Sequence, residues 1–171
     1  MSNQLIDLLI SGTIDTFLMV GVSALFAFLI GLPLALVLVS TRQYGIYPSK
    51  SINKVLGGVV NITRSIPFLI LLIAVIPFTR LVVGTSIGST ATIVPLVIAA
   101  APFIARLVES SIKEVDYGII EASLSMGASP LQVVMKVMIP EAKPSLIIGA
   151  AIATTTILGY SAMAGIVGGG G

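Results

Sequence analysis

The sequence predicts an all-α bundle of transmembrane helices. Of its 171 residues, 56% are hydrophobic and only 9% are charged, whereas soluble domains carry about 25% charged residues. The apolar residues stand in long runs separated by charged segments. Backbone groups in lipid must be hydrogen bonded within their own segment, and barrel strands need alternating hydrophobicity, so each run is predicted to be a helix.

Four runs are long enough to be spans, because a helix needs about 20 apolar residues to cross the hydrocarbon core. The predicted spans cover residues 13–39, 55–78, 90–107 and 144–167. Residues 4–10 form either a short amphipathic helix in the outer interface or an extension of the first span, and both interpretations stay open. Prolines within the spans are predicted either to kink them or to serve in gating. They are Pro33, Pro67, Pro77, Pro95 and Pro102.

The basic residues predict the orientation of the chain. No Lys or Arg precedes Arg42, so the amino terminus lacks the basic region of a cleaved signal peptide, and the first span is expected to be retained. Only Arg80 lies between the second and third spans. Because cytoplasmic loops are enriched in Lys and Arg, the two basic loops are predicted to face the cytoplasm and the amino terminus to lie outside. Their basic residues are Arg42, Lys50, Lys54, Arg64, Arg106, Lys113, Lys136 and Lys143.

The residue inventory excludes several classes of protein. The chain has no cysteine and no histidine, which removes serine–histidine proteases and the usual zinc ligands. An aspartyl intramembrane protease needs two aspartates within its spans, but Asp7, Asp15 and Asp116 lie at or beyond the span ends. Ion-coupled transporters place ionisable groups near the midplane, where only Arg64 is a candidate. A net charge of +2 is too small to indicate a nucleic-acid partner.

The segment 109–143 carries the helix punctuation of a cytoplasmic loop. Ser129, Pro130 and Gln132 predict a helix start, with Ser at the N-cap, Pro at the first position and Gln completing a capping box. This helix is predicted to stop at Ile139, because Pro140 disfavours helical geometry in the residue before it.

A second short helix is predicted upstream of it in the same loop. It covers residues 117–126 and ends at Gly127, a residue type suited to the position past a helix C-terminus. The loop is therefore expected to consist of two short helices that meet at Gly127 and lie across the membrane surface.

The same loop resembles the EAA loop of ABC importer permeases. The matching residues are Glu121, Ala122, Ser123, Gly127, Val137, Ile139 and Pro140. The resemblance implies that a separate ATPase subunit docks on this loop, that Glu121 pairs with a basic group of that subunit, and that Ala122 and Ser123 keep the contact close. Gly127 permits the turn, and Pro140 closes the motif.

Further segments look like the methionine-uptake permeases of bacteria: residues 64–68, 76–80, 83–88, 100–106 and 159–163. The resemblance implies a homodimer of permeases in the cytoplasmic membrane, two ATPase subunits and an extracytoplasmic methionine-binding lipoprotein. ATP and Mg are then bound by the ATPase, and no cofactor is expected in this chain, which has no phosphate-binding loop motif. It is predicted to be a transport subunit and not an enzyme. The alternative is a permease for another amino acid or small solute.

The family also implies a further helix after the glycine run at the end of the sequence. Relatives of this kind have five spans, whereas the sequence to Gly171 supplies four. The chain is therefore expected to lack the last helix of the family.

Two places in the spans are candidates for the solute path. Arg64 lies ten residues past Lys54, about 15 Å along a helix. It lines a cytoplasmic vestibule, forms an ion pair with a loop acid such as Glu109, or lies in the headgroups if the second span starts later.

The second place is near the outer end of the fourth span. One interpretation is that Tyr160, Ser161 and Met163 form part of a gate, since a thioether can close a path without binding the solute tightly. The other is that the methionine is ordinary packing.

Overall fold

The computed structural model describes residues 3–43, 45–165 and 168–169. Its regular structure within these ranges is helical, as predicted. Between α7 and α8 the chain makes a π-helical turn over Val134–Met138. In chain order the α-helices are α1 (Asn3–Thr41), α2 (Lys50–Ser65), α3 (Phe68–Ala74), α4 (Ile76–Val83), α5 (Ser89–Lys113), α6 (Tyr117–Ser125), α7 (Pro130–Val133), α8 (Ile139–Glu141) and α9 (Lys143–Ala164).

The centre of the bundle is built from α1, α5 and α9, which are long and apolar enough to cross a membrane. Helices α1 and α5 approach closely at Gly31, where a Cβ atom would lie 2.8 Å from the Ala101 carbonyl oxygen. Helix α9 meets the C-terminal end of α5 with its own first turns, where Ser145 Oγ donates to Ser111 Oγ at 3.0 Å. The largest fully buried apolar side chains are Met19, Leu38, Val60, Leu96, Ile104, Ile112, Val133 and Ile157.

Helix α1 begins at Asn3, so residues 4–10 extend the first span. The interfacial alternative is therefore wrong for this structure, because the backbone is continuous from these residues into the span. Pro33 lies inside α1 without breaking it.

The second predicted span is not one helix. Ile66 is extended, with φ −83° and ψ 124°, because the residue before a proline is pushed out of helical geometry. Pro67 caps α3, which is bent by 105° from α2. A second interruption at Val75 precedes α4, which has Pro77 in its first turn. The prediction of a single helix over residues 55–78 is therefore corrected to three short helices.

Both basic loops lie at the same end of the bundle, where Arg42 and Lys113 line one cavity. Asn53 Nδ2 near the start of α2 donates to the Leu38 carbonyl at 2.7 Å and to Thr41 Oγ1 at 3.2 Å, which holds α2 to the end of α1. At the opposite end, the N–H of Gly88 donates to the carbonyl of Gly168 at 2.9 Å. The predicted end of the fourth span at residue 167 lies outside the described residues.

Candidate functional site

Helix α6 is the first helix of the loop, and it begins with an N-cap that the sequence analysis did not predict. Asp116 is the N-cap, and its carboxylate accepts a hydrogen bond of 2.6 Å from the N–H of Gly118. An aspartate directly before a helical segment is a recognised start signal, so Asp116 was the available clue.

The end of α6 is a Schellman turn around Gly127. The N–H of Gly127 donates to the Leu124 carbonyl at 2.9 Å, and the N–H of Ala128 donates to the Ser123 carbonyl at 3.1 Å. Gly127 has φ +85°, a conformation that favours glycine. The predicted turn at Gly127 is confirmed.

The capping box that starts α7 is also present. The backbone N–H of Ser129 donates to Gln132 Oε1 at 2.8 Å, and the N–H of Gln132 donates to Ser129 Oγ at 3.4 Å. Pro130 stands in the first turn, as predicted.

Pro140 does not end this helical segment. The N–H of Ile139 donates to the Val134 carbonyl, five residues back, so the chain passes Pro140 in a π-helical turn. In an ordinary α-turn the proline ring would collide with the carbonyl four residues earlier, and the wider turn relieves that clash. Ala142, the residue between α8 and α9, is also in the right-handed helical region. The prediction that the helix stops at Ile139 was wrong.

The loop residues singled out in the sequence divide between its two faces. Glu121, Ala122, Gly127 and Pro140 are exposed. Ser123 is only 8% exposed, and its hydroxyl donates to the Ile119 carbonyl at 2.8 Å. Ser123 therefore faces inward instead of lining the loop surface.

Large apolar side chains share the exposed side of the loop. Met126 is 82% exposed and Leu131 is 71% exposed. We call the exposed set the loop surface; it consists of Tyr117, Glu121, Ala122, Leu124, Met126, Leu131 and Met135. On the other side, Val133, Val134 and Met138 are buried in the main core, so this loop is fixed to the bundle.

Arg64 and Tyr160 line the same cavity, together with Phe103 of α5. The ion pair predicted between Arg64 and Glu109 does not form. Glu109 is 4% exposed and pairs instead with Arg106 and Lys113 on its own helix. Arg64 lies on the last turn of α2, which begins at Lys50, and its placement in a vestibule or in the headgroups stays a prediction.

Arg106 ties this ion-pair network to α2. Its Nη2 donates to the Gly57 carbonyl and to Asn61 Oδ1, both at 3.0 Å. The charges of α5 therefore hold the middle of α2 in place.

The three residues of the predicted gate lie in different environments. Tyr160 stacks on Phe68 with ring centroids 4.5 Å apart. Ser161 is buried and its hydroxyl donates to the Leu158 carbonyl at 2.8 Å. Met163 is 43% exposed.

Among the described residues, no three acidic side chains lie close enough together to hold a metal ion.

A family model described as "Binding-protein-dependent transport system inner membrane component" matches residues 27–171. This chain belongs to that family. Its members are transport components, so the chain is a multi-pass inner-membrane transport subunit and not an enzyme.

Individual relatives show which members of the family this chain resembles. The probable D-methionine transport system permease protein MetI of Vibrio cholerae is 50% identical over 165 residues, which cover 96% of this chain and 73% of the relative. The D-methionine transport system permease protein MetI of Escherichia coli K12 is 51% identical and covers 96% and 76%.

Solved structures agree with the sequence relatives. A native crystal form of the inward-facing MetNI methionine ABC transporter has a TM-score of 0.98 and 51% identity, covering 100% of this chain and 79% of that one. An amino acid ABC transporter crystallised with histidines has a TM-score of 0.78 and 26% identity over 96% of this chain and 74% of that one.

Proposed function

We propose that this chain is the permease subunit of an ATP-driven importer that carries methionine across the bacterial inner membrane. Support comes from the identity of about one half to D-methionine permeases over 96% of the chain. The observation that carries the mechanism is the loop surface, which presents Glu121 among exposed apolar side chains on a segment fixed to the core.

The loop transmits motion because its second half is joined to α9 by helical backbone. From Pro130 the chain runs through the π-helical turn and Ala142 into α9 with helical dihedral angles at each junction. A displacement of α7 is therefore passed to the span that carries Tyr160 and Met163. Closure of an ATPase dimer on ATP would draw two such loops together and open the spans outward, and hydrolysis would return them inward.

The complete importer contains more than this chain. We expect a second copy of the permease, two cytoplasmic ATPase subunits that bind ATP and Mg, and a methionine-binding lipoprotein on the outer side. The loops 42–49 and 114–142 face the cytoplasm, whereas the amino terminus and residues 84–88 lie outside.

Glu121→Lys tests the docking role directly. Reversing one charge where the ATPase presents a basic group places like charges together, which costs several kcal/mol. We expect capture of the ATPase from detergent extracts and methionine uptake to fall roughly tenfold or more. The matched control is Glu114→Lys, which reverses an exposed acid outside α6 to α8 and should leave both unchanged. Normal capture and uptake by Glu121→Lys would exclude this docking role.

A permease for another amino acid is the second candidate, favoured by the similarity to the amino acid transporter crystallised with histidines. Competition of labelled methionine uptake by an excess of each other amino acid decides between them. We expect methionine alone to compete strongly, and stronger competition by another amino acid would favour the second candidate.

A further inference from the structure

A small cavity lies beside the break between α2 and α3. Its volume is about 180 Å³. The lining includes one cation, Arg64, and three aromatic rings, those of Phe68, Phe103 and Tyr160, but no carboxylate. Pockets that enclose drug-sized ligands measure about 300–1,000 Å³, so this cavity suits a smaller molecule.

Arg64 has no counter-ion in the part of the chain that the structure describes. The ion pairs among the described residues are those of Glu109 with Arg106 and Lys113. The Arg64 guanidinium instead lies over the ring of Phe103, with Cζ 5.7 Å from the centroid, an arrangement that stabilises a cation without neutralising it. Its planar fork of N–H donors matches a carboxylate. A small carboxylate is therefore the complementary ligand.

Two of the aromatic rings that line the cavity are stacked on each other. The rings of Phe68 and Tyr160 stack with an interplanar angle of 1° and bring α3 and α9 together. Aromatic rings make favourable contacts with a thioether sulfur and exclude charged side chains. The cavity therefore combines an anion site with a surface for an apolar side chain.

The position of the cavity is within the membrane-crossing part of the bundle. Phe103 lies in the predicted span 90–107, four residues before its end, about 6 Å along the helix. A charge at such depth faces the protein interior or water. Arg64 is exposed on this chain, so a solute can reach it.

We propose that this cavity is a binding site for the transported α-amino acid. Arg64 holds its carboxylate, and Phe103 together with the Phe68–Tyr160 stack contacts its unbranched apolar side chain. This proposal deepens the import function proposed above and rests on it. The transported amino acid occupies this site while it crosses the permease. The site is separate from the one on the binding protein outside.

Photo-methionine, a diazirine analogue of methionine, tests the site in the assembled permease–ATPase complex without binding protein. We expect labelling of the peptides that contain Phe103 or Tyr160, identified by mass spectrometry. An excess of methionine should suppress it, whereas methioninamide, which lacks the carboxylate, should not. Labelling should fall about tenfold or more in Arg64→Gln, because charge-assisted hydrogen bonds are lost.

Two further variants make the result specific. Arg64→Lys keeps the charge but not the fork and should give intermediate labelling. Arg80→Gln changes an exposed arginine bonded to Ser86 away from the cavity and should label like the wild type.

The proposal is overturned by equal labelling of Arg64→Gln and the wild type, by equal suppression with methioninamide, or by absence of label from both peptides in the wild type. Uptake is measured on the same wild-type preparations in liposomes, with binding protein and ATP. Absence of uptake overturns the proposed function, and the labelling alone then decides the cavity.

Discussion

Gly127 adopts a backbone conformation that other residues enter only with strain. Its φ is +85°, and a Cβ atom there would have no neighbour within 4 Å. The requirement for glycine is therefore conformational and not steric. The left-handed conformation costs an L-residue about 1–2 kcal/mol, and asparagine bears it better than alanine.

Substitution of Gly127 separates the conformational requirement for glycine from a steric one. We expect Gly127→Ala to weaken the junction of α6 and α7 by about 1–2 kcal/mol and Gly127→Asn by less, measured as capture of the ATPase and as the melting temperature of the complex in detergent. Gly58→Ala is the control: its Cβ would also meet nothing within 4 Å, but the residue is helical. A loss in Gly58→Ala equal to that in Gly127→Ala would contradict the conformational explanation.

At the residue scale, caps and turns were predictable where neighbouring residues in the sequence determine them. The capping box of Ser129 and Gln132 and the turn at Gly127 depend on backbone geometry within a few residues, and both are as predicted. The inward side of Ser123 depends on what α6 packs against, and a helix of 9 residues has too short an apolar pattern to identify its buried face. The partners of Glu109 are different, because Arg106 and Lys113 lie three and four residues away on the same helix, a spacing at which charged side chains pair, so the clue was present in the sequence.

At the scale of elements, the close packing of α1 and α5 depends on Gly31. A Cβ there would lie 2.8 Å from the Ala101 carbonyl oxygen and 2.9 Å from Ile104 Cγ2. We expect Gly31→Ala to destabilise the bundle by about 1–3 kcal/mol, because overpacking forces the helices apart. Gly21→Ala, in the same helix, would meet nothing within 4 Å and serves as the control. Thermal unfolding in detergent measures both, and equal melting temperatures would contradict the packing argument.

The break after α2 shows why span boundaries were only partly predictable. Pro33 lies inside unbroken α1, whereas Pro67 begins a new helix bent by 105°. Proline is tolerated in transmembrane helices when neighbours satisfy the freed backbone groups. The outcome at Pro67 depends on the burial of Phe68, Leu71 and Leu72 in α3, and hydropathy alone does not reveal that packing.

At the scale of the whole molecule, the proposed orientation places residues 84–88 outside and α6 inside. The chain has no cysteine, so single cysteines report accessibility without background. We expect a membrane-impermeant maleimide to label Thr85→Cys on intact cells, and Ser125→Cys only in inverted vesicles. Bound ATPase should protect Ser125→Cys, which lies in α6 and is exposed. The opposite labelling pattern would reverse the orientation.

The exposed surface of the molecule is strongly apolar. Leu81 is 83% exposed, Phe17 is 75% exposed and Leu8 is 68% exposed, which suits lipid and partner subunits and not bulk water. This property was predictable, because composition alone establishes it. The proximity of Arg64, Phe103 and Tyr160 was not predictable, since it requires the bend after α2.

The bend after α2 also determines where hydration reaches the protein. The last carbonyls of any helix lack intrahelical partners, and hydrocarbon provides none. The end of α2 at Ser65 is exposed on this chain, and the Arg64 guanidinium beside it lies over the ring of Phe103. Water or a partner subunit can supply donors to these carbonyls, and hydration at this point would make the dielectric barrier that an ion or zwitterion meets thinner than the bilayer around it.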